Sequence, residues 1–394
     1  MGPTHKSQSA LEYMMTYGWA ILVIVIVAGV LYSLGIFSPA SSLSSTVTGF
    51  SNLGSVTGEC AANGILRISL GDSTGYPINI TGVTAKSSTG QISTFEPNST
   101  VDPNPIIQPT STYIFSVPNI CPAAGSRYSL AVTVNYTEPG QISPGPYTST
   151  GKISGVALST TMPLYVADFN GPLTPYEPCG NIASTCTYIT APIGLSGTNL
   201  SYTMVAWINV AKVDLSNTGY SWDNAFFSFN SYAALSFSSP NVGGDLNVHV
   251  CYNDPHSNVL NVPANMSKWQ FVAVAIKNTS GLLYSFYLNG RNVNTSANST
   301  RDQVSNSVMI GGQWMDCDSN PFVGYVYNAQ IYKGYLSPSQ IESLYAMGID
   351  GSPLTGQNLL GWWPLNGSAK DYSGNGNNGV STDVAYTTNF PNPS

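Results

Sequence analysis

The sequence predicts a mainly β protein: one N-terminal helix long and apolar enough for a membrane, then two successive antiparallel β units. Three observations carry that expectation. From Gly18 to Phe37 the chain is apolar and uncharged over about the 20 residues a helix needs to cross a bilayer. Beyond it, short runs alternating between apolar and polar residues are separated by clusters of Gly, Pro, Asn and Asp, the pattern of strands and turns. Only 8% of residues are charged, and Ser, Thr, Asn, Gly and 24 Tyr take their place. Soluble proteins average roughly 25% charged residues, so this surface is polar but uncharged, as on extracellular β-proteins.

The first element is introduced by Lys6-Ser7-Gln8-Ser9-Ala10-Leu11-Glu12. A secretory signal would place its cleavage site after a shorter apolar core. Here the polar candidate precedes the apolar run, so cleavage would remove a leader, 1–7, and keep a helix, 8–37. That order resembles the class III signal peptide of archaeal type IV prepilins. The resemblance implies a cut by a prepilin peptidase between Ser7 and Gln8, which makes Glu12 the fifth mature residue, the acidic position of filament assembly. Ala10 stands where the family usually has Ser. Independently, a carboxylate at the head of a membrane helix is costly unless paired, and is favoured by the positive end of the helix dipole. In a filament the amine of a neighbouring Gln8 would pair with Glu12; the plainer alternative leaves Glu12 among lipid headgroups.

Net charge is −7 with no basic cluster, which argues against nucleic acid as a partner. His5 and Lys6 precede the helix and the next positive residue is Arg67, so the N-terminus is expected in the cytoplasm and everything after Phe37 outside. Six cysteines suit that oxidising location. If bridges stay within units, Cys60 pairs with Cys121. Cys179, Cys186, Cys251 and Cys317 then allow three pairings, of which Cys179–Cys186 with Cys251–Cys317 is favoured because the first closes a short loop. Asn-x-Ser/Thr sequons recur from Asn79 to Asn366, consistent with glycosylation but also frequent by chance in such a composition.

After the break at Ser38-Pro39, residues 47–156 read as a small β-sandwich. Strands are expected at Ile65–Leu70, Ile78–Ala85, Tyr113–Val117, Tyr128–Tyr136 and Tyr147–Val156, with the clearest alternation from Ser129 to Tyr136. This is similar to the β-rich heads of archaeal pilins.

The second unit, 162–390, contains Tyr165-Val166-Ala167-Asp168-Phe169-Asn170-Gly171, then Tyr202–Ile208 around Trp207, then Trp269–Val274 and Tyr284–Gly290 ending in an Asn-Gly hairpin turn. Phe322–Tyr332 follows, and then a helix with Ser337 as N-cap, Pro338 at its first position, Gln340 completing a capping box, and Gly348 as a stop. Ile341, Leu344 and Tyr345 give that helix an apolar face. In this order the segments resemble a laminin-G-like jelly roll of the concanavalin-like kind. The stretch from Leu360 to Gly379 resembles the one that normally begins such a domain, so it is expected to act as a permuted strand.

No Ser/His/Asp arrangement or nucleophile elbow is visible, and the acids of the second unit form no recognisable pair on one strand, so the chain is not expected to be an enzyme. A Ca²⁺ site is a candidate: Asp371, Asn375, Asn377 and Asn378 offer hard oxygens on a Gly-rich turn, and Asp168 and Asn170 join them if the permuted strand lies beside the opening one. The alternative is that Gly and Asn are present because the turn needs positive φ. Trp222 and Trp314 are the candidate ligand-face aromatics. Trp207 and Trp269 read as core, and alternation lets only one of Trp362 and Trp363 face outward.

Together these readings describe a pilin-like surface protein whose partners are the membrane, other pilin subunits, a prepilin peptidase and an extracellular glycan or protein. One rival is an anchored adhesin that never polymerises; another is an anchored carbohydrate-active enzyme.

Overall fold

The computed structural model describes residues 17–19, 21–27, 45–98, 101–102, 105–169, 187–198, 200–212, 223–229, 233–238, 247–249, 260–261, 268–278, 281–298, 303–312 and 320–391. Ser7, Gln8, Glu12, Asn170, Cys179, Cys186, Trp222, Cys251, Trp314 and Cys317 lie outside them. Residues 17–19 and 21–27 are helical. Among the described residues no helix is long and apolar enough to cross a membrane; most of the 8–37 tract falls outside that description.

The first sandwich pairs a six-stranded sheet with a three-stranded one. The larger runs Thr46–Gly49, Tyr147–Val156, Arg127–Thr137, Ile78–Ser87, Ile92–Phe95, with Ile106–Ile107 also on Ile78–Ser87. The smaller is Leu53–Cys60, Leu66–Asp72 and Thr112–Val117. Arg127–Thr137 lies at the centre because its alternation is the most regular: Tyr128, Leu130, Val132, Val134 and Tyr136 are all buried and the residues between are not. The five expected strands all form, within two residues at each end. Leu53–Cys60 was not expected. Its LGSVTGEC carries two glycines and an irregularity between Gly54 and Thr57, where Ser55 takes φ of 47°, so sequence alternation is broken by a bulge. Cys60 and Cys121 are disulfide-bonded with Cα atoms 5.5 Å apart, as expected.

The second unit is built of two eight-stranded sheets. One runs Arg291–Asn298, Leu282–Leu288, Trp269–Asn278, Tyr202–Lys212, Val323–Lys333, Val166–Phe169, Ala385–Thr387, with Leu359–Trp363 also on Val323–Lys333. The facing sheet runs Leu260–Asn261, Asn247–His249, Ala233–Ser238, Asp223–Phe229, Ser307–Ile310, Tyr188–Pro192, Val380–Thr382, with Asn320–Pro321 beside Asp223–Phe229. Met204, Ile208, Val274, Phe286, Phe227 and Trp363 fill the space between them.

The first of these sheets is covered on its outer face too. Trp207, Phe271, Tyr287 and Tyr332 pack there against Ile341 and Leu344 of the helix Pro338–Ala346 and against Phe390. Burial on both faces explains why Trp269–Asn278 is buried without alternation over its first eight residues. The helix begins as expected: Ser337 Oγ accepts from Gln340 N at 3.4 Å, Gln340 Oε1 accepts from Ser337 N at 2.8 Å, and Pro338 follows the cap. Asn289 and Gly290 both take positive φ, 49° and 77°, as a two-residue hairpin turn requires.

The late segment is indeed a strand of this unit. Leu359–Trp363 pairs with Ala329–Tyr332, on the edge of Val323–Lys333 that also receives Val166–Phe169 at Gly324–Val326. The two therefore lie end to end along one edge rather than side by side. Val380–Thr382 and Ala385–Thr387 then add one strand to each sheet.

Candidate ligand-binding surfaces

The Gly/Asn turn after Leu359–Trp363 is organised by Asp371, which is 6% exposed. Its Oδ1 accepts from Trp362 N at 3.0 Å and Ser373 N at 2.8 Å. Its Oδ2 accepts from Ser373 Oγ and Asn377 N, both at 2.8 Å. Asn378 Oδ1 accepts from Asp371 N at 3.0 Å, while Asn375 and Asn377 donate their amides to Leu360 O at 3.0 and 2.7 Å. Gly374 and Gly376 take φ of 90° and 75°.

A cation at Asp371 would have to displace N–H donors from both carboxylate oxygens, so the residues as arranged do not fit Ca²⁺. Asp168, paired between Tyr325 and Ala385, belongs to the strand that meets this one end to end. Among the described residues no group of three or more His, Cys, Asp or Glu could hold a metal ion. The geometry supports the other reading of this motif, a turn in which Asx hydrogen bonds and positive φ reverse the chain.

Alternation decides the two adjacent tryptophans. Trp363 is fully buried, edge-on to Phe227 at 6.4 Å, and donates Nε1 to Asn377 O at 2.9 Å. Trp362 points the other way, donates Nε1 to Asn328 Oδ1 at 2.8 Å, and meets Tyr372 edge-on at 6.0 Å. Tyr372 is 54% exposed, with Lys370 Nζ 5.3 Å above its ring. Trp207 and Trp269 are core, as expected, at 8% and 6% exposure.

The acids of the second unit are dispersed. Asp350, an exposed residue, accepts from Tyr327 Oη at 2.7 Å and from Asn63 Nδ2 at 3.5 Å. Although the residue as a whole is exposed, its carboxyl is tucked against Tyr327, and that local loss of solvent raises it above the usual range, with the two hydrogen bonds acting against the rise.

Two features were not legible in the sequence. One is the seam between the sandwiches, where Asp102 and Arg67 are each 3% exposed. The other is a cleft of about 470 Å³ between Ser159–Thr161, in the segment joining the sandwiches, and Tyr345, Met347 and Ile349 at the end of the helix, with Trp207 at its floor. Neither contains a motif, because each is assembled from segments far apart in the chain: Asp102 meets Thr388, and Ser159–Thr161 stand with Trp207 and Tyr345.

Residues 184–342 match the family described as the concanavalin A-like lectin/glucanases superfamily. No curated protein matches the chain. Among solved structures, a candidate carbohydrate binding protein of Bacteroides ovatus is similar at 13% identity and a TM-score of 0.42, over 88% of this chain and 93% of that one. The heptameric SAP-like pentraxin of Limulus polyphemus is similar at 12% identity and a TM-score of 0.40, over 58% of this chain and 95% of that one. The ligand binding domain of Botulinum neurotoxin serotype D, solved with N-acetylneuraminic acid, is similar at 12% and 0.29, over 46% and 50%. At these TM-scores the likenesses carry no functional weight.

Proposed function

We propose that this chain is a cell-surface, pilin-like subunit whose distal lectin-like jelly roll mediates adhesion to a glycan or protein. The observation that carries the reading is the union, in one chain, of a concanavalin A-like lectin match at 184–342 with the Ser7-Gln8…Glu12 tract ahead of an uncharged apolar run. The helix anchors the subunit in the membrane before assembly and forms filament core afterward, with the N-terminus cytoplasmic and the head outside. The head is read as a binding module rather than an enzyme; two of its described acids are engaged in hydrogen bonds, Asp371 within its turn and Asp350 with Tyr327 and Asn63.

Mass spectrometry of the N-terminal peptide from cells tests the leader. A mature chain starting at Gln8 is expected, and one starting beyond Phe37 would remove the pilin reading. Glu12→Gln should insert normally yet be depleted from isolated surface filaments, since the Coulomb attraction to a neighbouring amine is gone. Filament yield equal to wild type would favour the adhesin that stays in the membrane, and hydrolysis of a glycan by the full chain would favour the anchored enzyme.

A further inference from the structure

We propose that the cleft between Ser159–Thr161 and the end of the helix is the glycan-binding site of this protein, taking one or two neutral pyranose units against Tyr345. This rests on the adhesive reading above and names its ligand class and place.

The cleft is built rather than incidental. Its near wall is held in place by backbone bonds to the first sandwich: Leu158 N donates to Cys60 O at 2.8 Å, and Ala62 N donates to Thr160 O at 2.9 Å. Asn63 clasps the same segment, donating Nδ2 to Met162 O at 2.6 Å and accepting from Met162 N at 3.4 Å. With its backbone so fixed, the wall presents Ser159, Thr160 and Thr161 as exposed hydroxyl side chains.

The far wall is aromatic and equally fixed. Tyr345 lies nearly parallel to Trp207, centroids 5.7 Å apart at 24°, and 5.8 Å from Phe271. Its ring rests on the hairpin turn so closely that a Cβ on Gly290 would fall 2.8 Å from it. Tyr345 nevertheless stays 38% exposed and Met347 46%.

A pre-oriented aromatic ring lining one cleft with three hydroxyl-bearing residues matches a sugar, which offers apolar C–H faces and a rim of hydroxyls. Among the described residues, none that lines the cleft is charged. A sialylated or sulfated unit finds no cation among them, which favours a neutral ligand. The volume falls within the range of small-ligand pockets.

The test is an array of neutral, sialylated and sulfated glycans probed with the full-length chain in detergent, beside Tyr345→Ala, Met347→Glu and Tyr372→Ala. Neutral glycans should bind wild type. Tyr345→Ala and Met347→Glu should each weaken binding about tenfold or more, equivalent to roughly 1.4 kcal/mol, while Tyr372→Ala binds as wild type. Met347 is exposed at the rim, so its variant should melt as wild type and its loss of binding is not loss of fold. Wild-type affinity in both cleft variants would overturn the site and leave the adhesive reading standing. Binding confined to acidic glycans, or to a protein partner alone, would also overturn it. No binding to any glycan or surface protein would take down the adhesive reading itself.

Discussion

Asp102 offers the sharpest test of how the two sandwiches are joined. It belongs to the first unit, and its backbone N donates to Tyr386 O of the second at 3.1 Å. Its Oδ1 accepts from Tyr113 Oη at 2.7 Å and from Thr387 Oγ1; its Oδ2 accepts from Thr388 N at 3.0 Å and Thr388 Oγ1 at 2.6 Å. Removing the carboxylate strands Thr388 N–H and leaves the Tyr113 and Thr387 hydroxyls only each other to donate to, whereas Thr388 Oγ1 can still donate to Ile114 O at 3.1 Å. Breaking such a buried charged network costs on the order of 3–5 kcal/mol.

Asp102→Ala adds a backbone penalty of about 1–2 kcal/mol, because φ is 42° there. Asp102→Gly lacks that penalty and reads the hydrogen-bond loss together with about 0.4–1 kcal/mol of added unfolded-chain entropy. Asp102→Asn should be much milder. With its carbonyl turned to Thr388, the amide faces only two hydroxyls, and both can rotate to accept. The cost is then the charge assistance, roughly 1–2 kcal/mol.

Denaturant unfolding of the full chain, followed by tryptophan fluorescence, reads all three. Trp269 reports on the tail directly, since its Nε1 donates to Pro391 O at 2.7 Å. The expected order of stability is wild type, Asn, Gly, Ala. Asp102→Gly within about 1 kcal/mol of wild type would refute the claim that this carboxylate organises the seam.

Three further predictions follow from the same geometry. Trp363→Ala should cost about 3–5 kcal/mol in a denaturant melt, because a fully buried ring edge-on to Phe227 is lost. Added Ca²⁺ and added chelator should give the same melting temperature, and Asp371→Ala should lower both equally by stranding Trp362 N, Ser373 N and Asn377 N. For Asp350, a raised carboxyl value means its contribution is fully present below the ordinary value of 3.8 and is lost as pH rises through the raised one. Asp350→Asn should therefore be at least as stable as wild type at neutral pH, with the difference shrinking on acidification; a difference that grows toward acid would contradict the assignment.

Legibility in the sequence tracked the range of the interactions involved. The capping box at Ser337–Gln340 closes within four residues, and the Asn289-Gly290 turn within two, so both were readable without any partner. The inward and outward tryptophans at 362 and 363 followed from strand geometry alone. The Asp371 turn was readable as a cluster of oxygen-bearing residues, but not the direction of its carboxylate, since backbone amides compete for the same oxygens as a cation. Leu53–Cys60 is not legible because a bulge breaks period two. Tyr345 read as part of the helix's apolar face, and only the position of Ser159–Thr161 opposite it makes a cleft.

The seam itself shows why two units that separate cleanly in sequence meet in one arrangement. Apolar contact is non-directional, and burial of the Val101 and Tyr386 side chains in one core could be met in many registers. The directional bonds cannot. Arg67 of the first sandwich donates Nη2 to Phe390 O at 2.6 Å while its guanidinium lies 4.1 Å over the Phe390 ring. Burial lowers its value to about 10, with Glu59 opposing that fall. Next to it Asn389 Oδ1 accepts from Ile114 N at 3.2 Å, and Thr388 is held by Asp102 one residue earlier. Three consecutive tail residues thus each find a different partner on the first sandwich, and a shift of one residue would leave Asp102 and Arg67 buried without their bonds. Since an uncompensated buried charge costs several kcal/mol, the two charges act less as glue than as a restriction on register. The tail that completes both sheets of the jelly roll therefore also fixes where the jelly roll sits, and with it the two walls of the cleft.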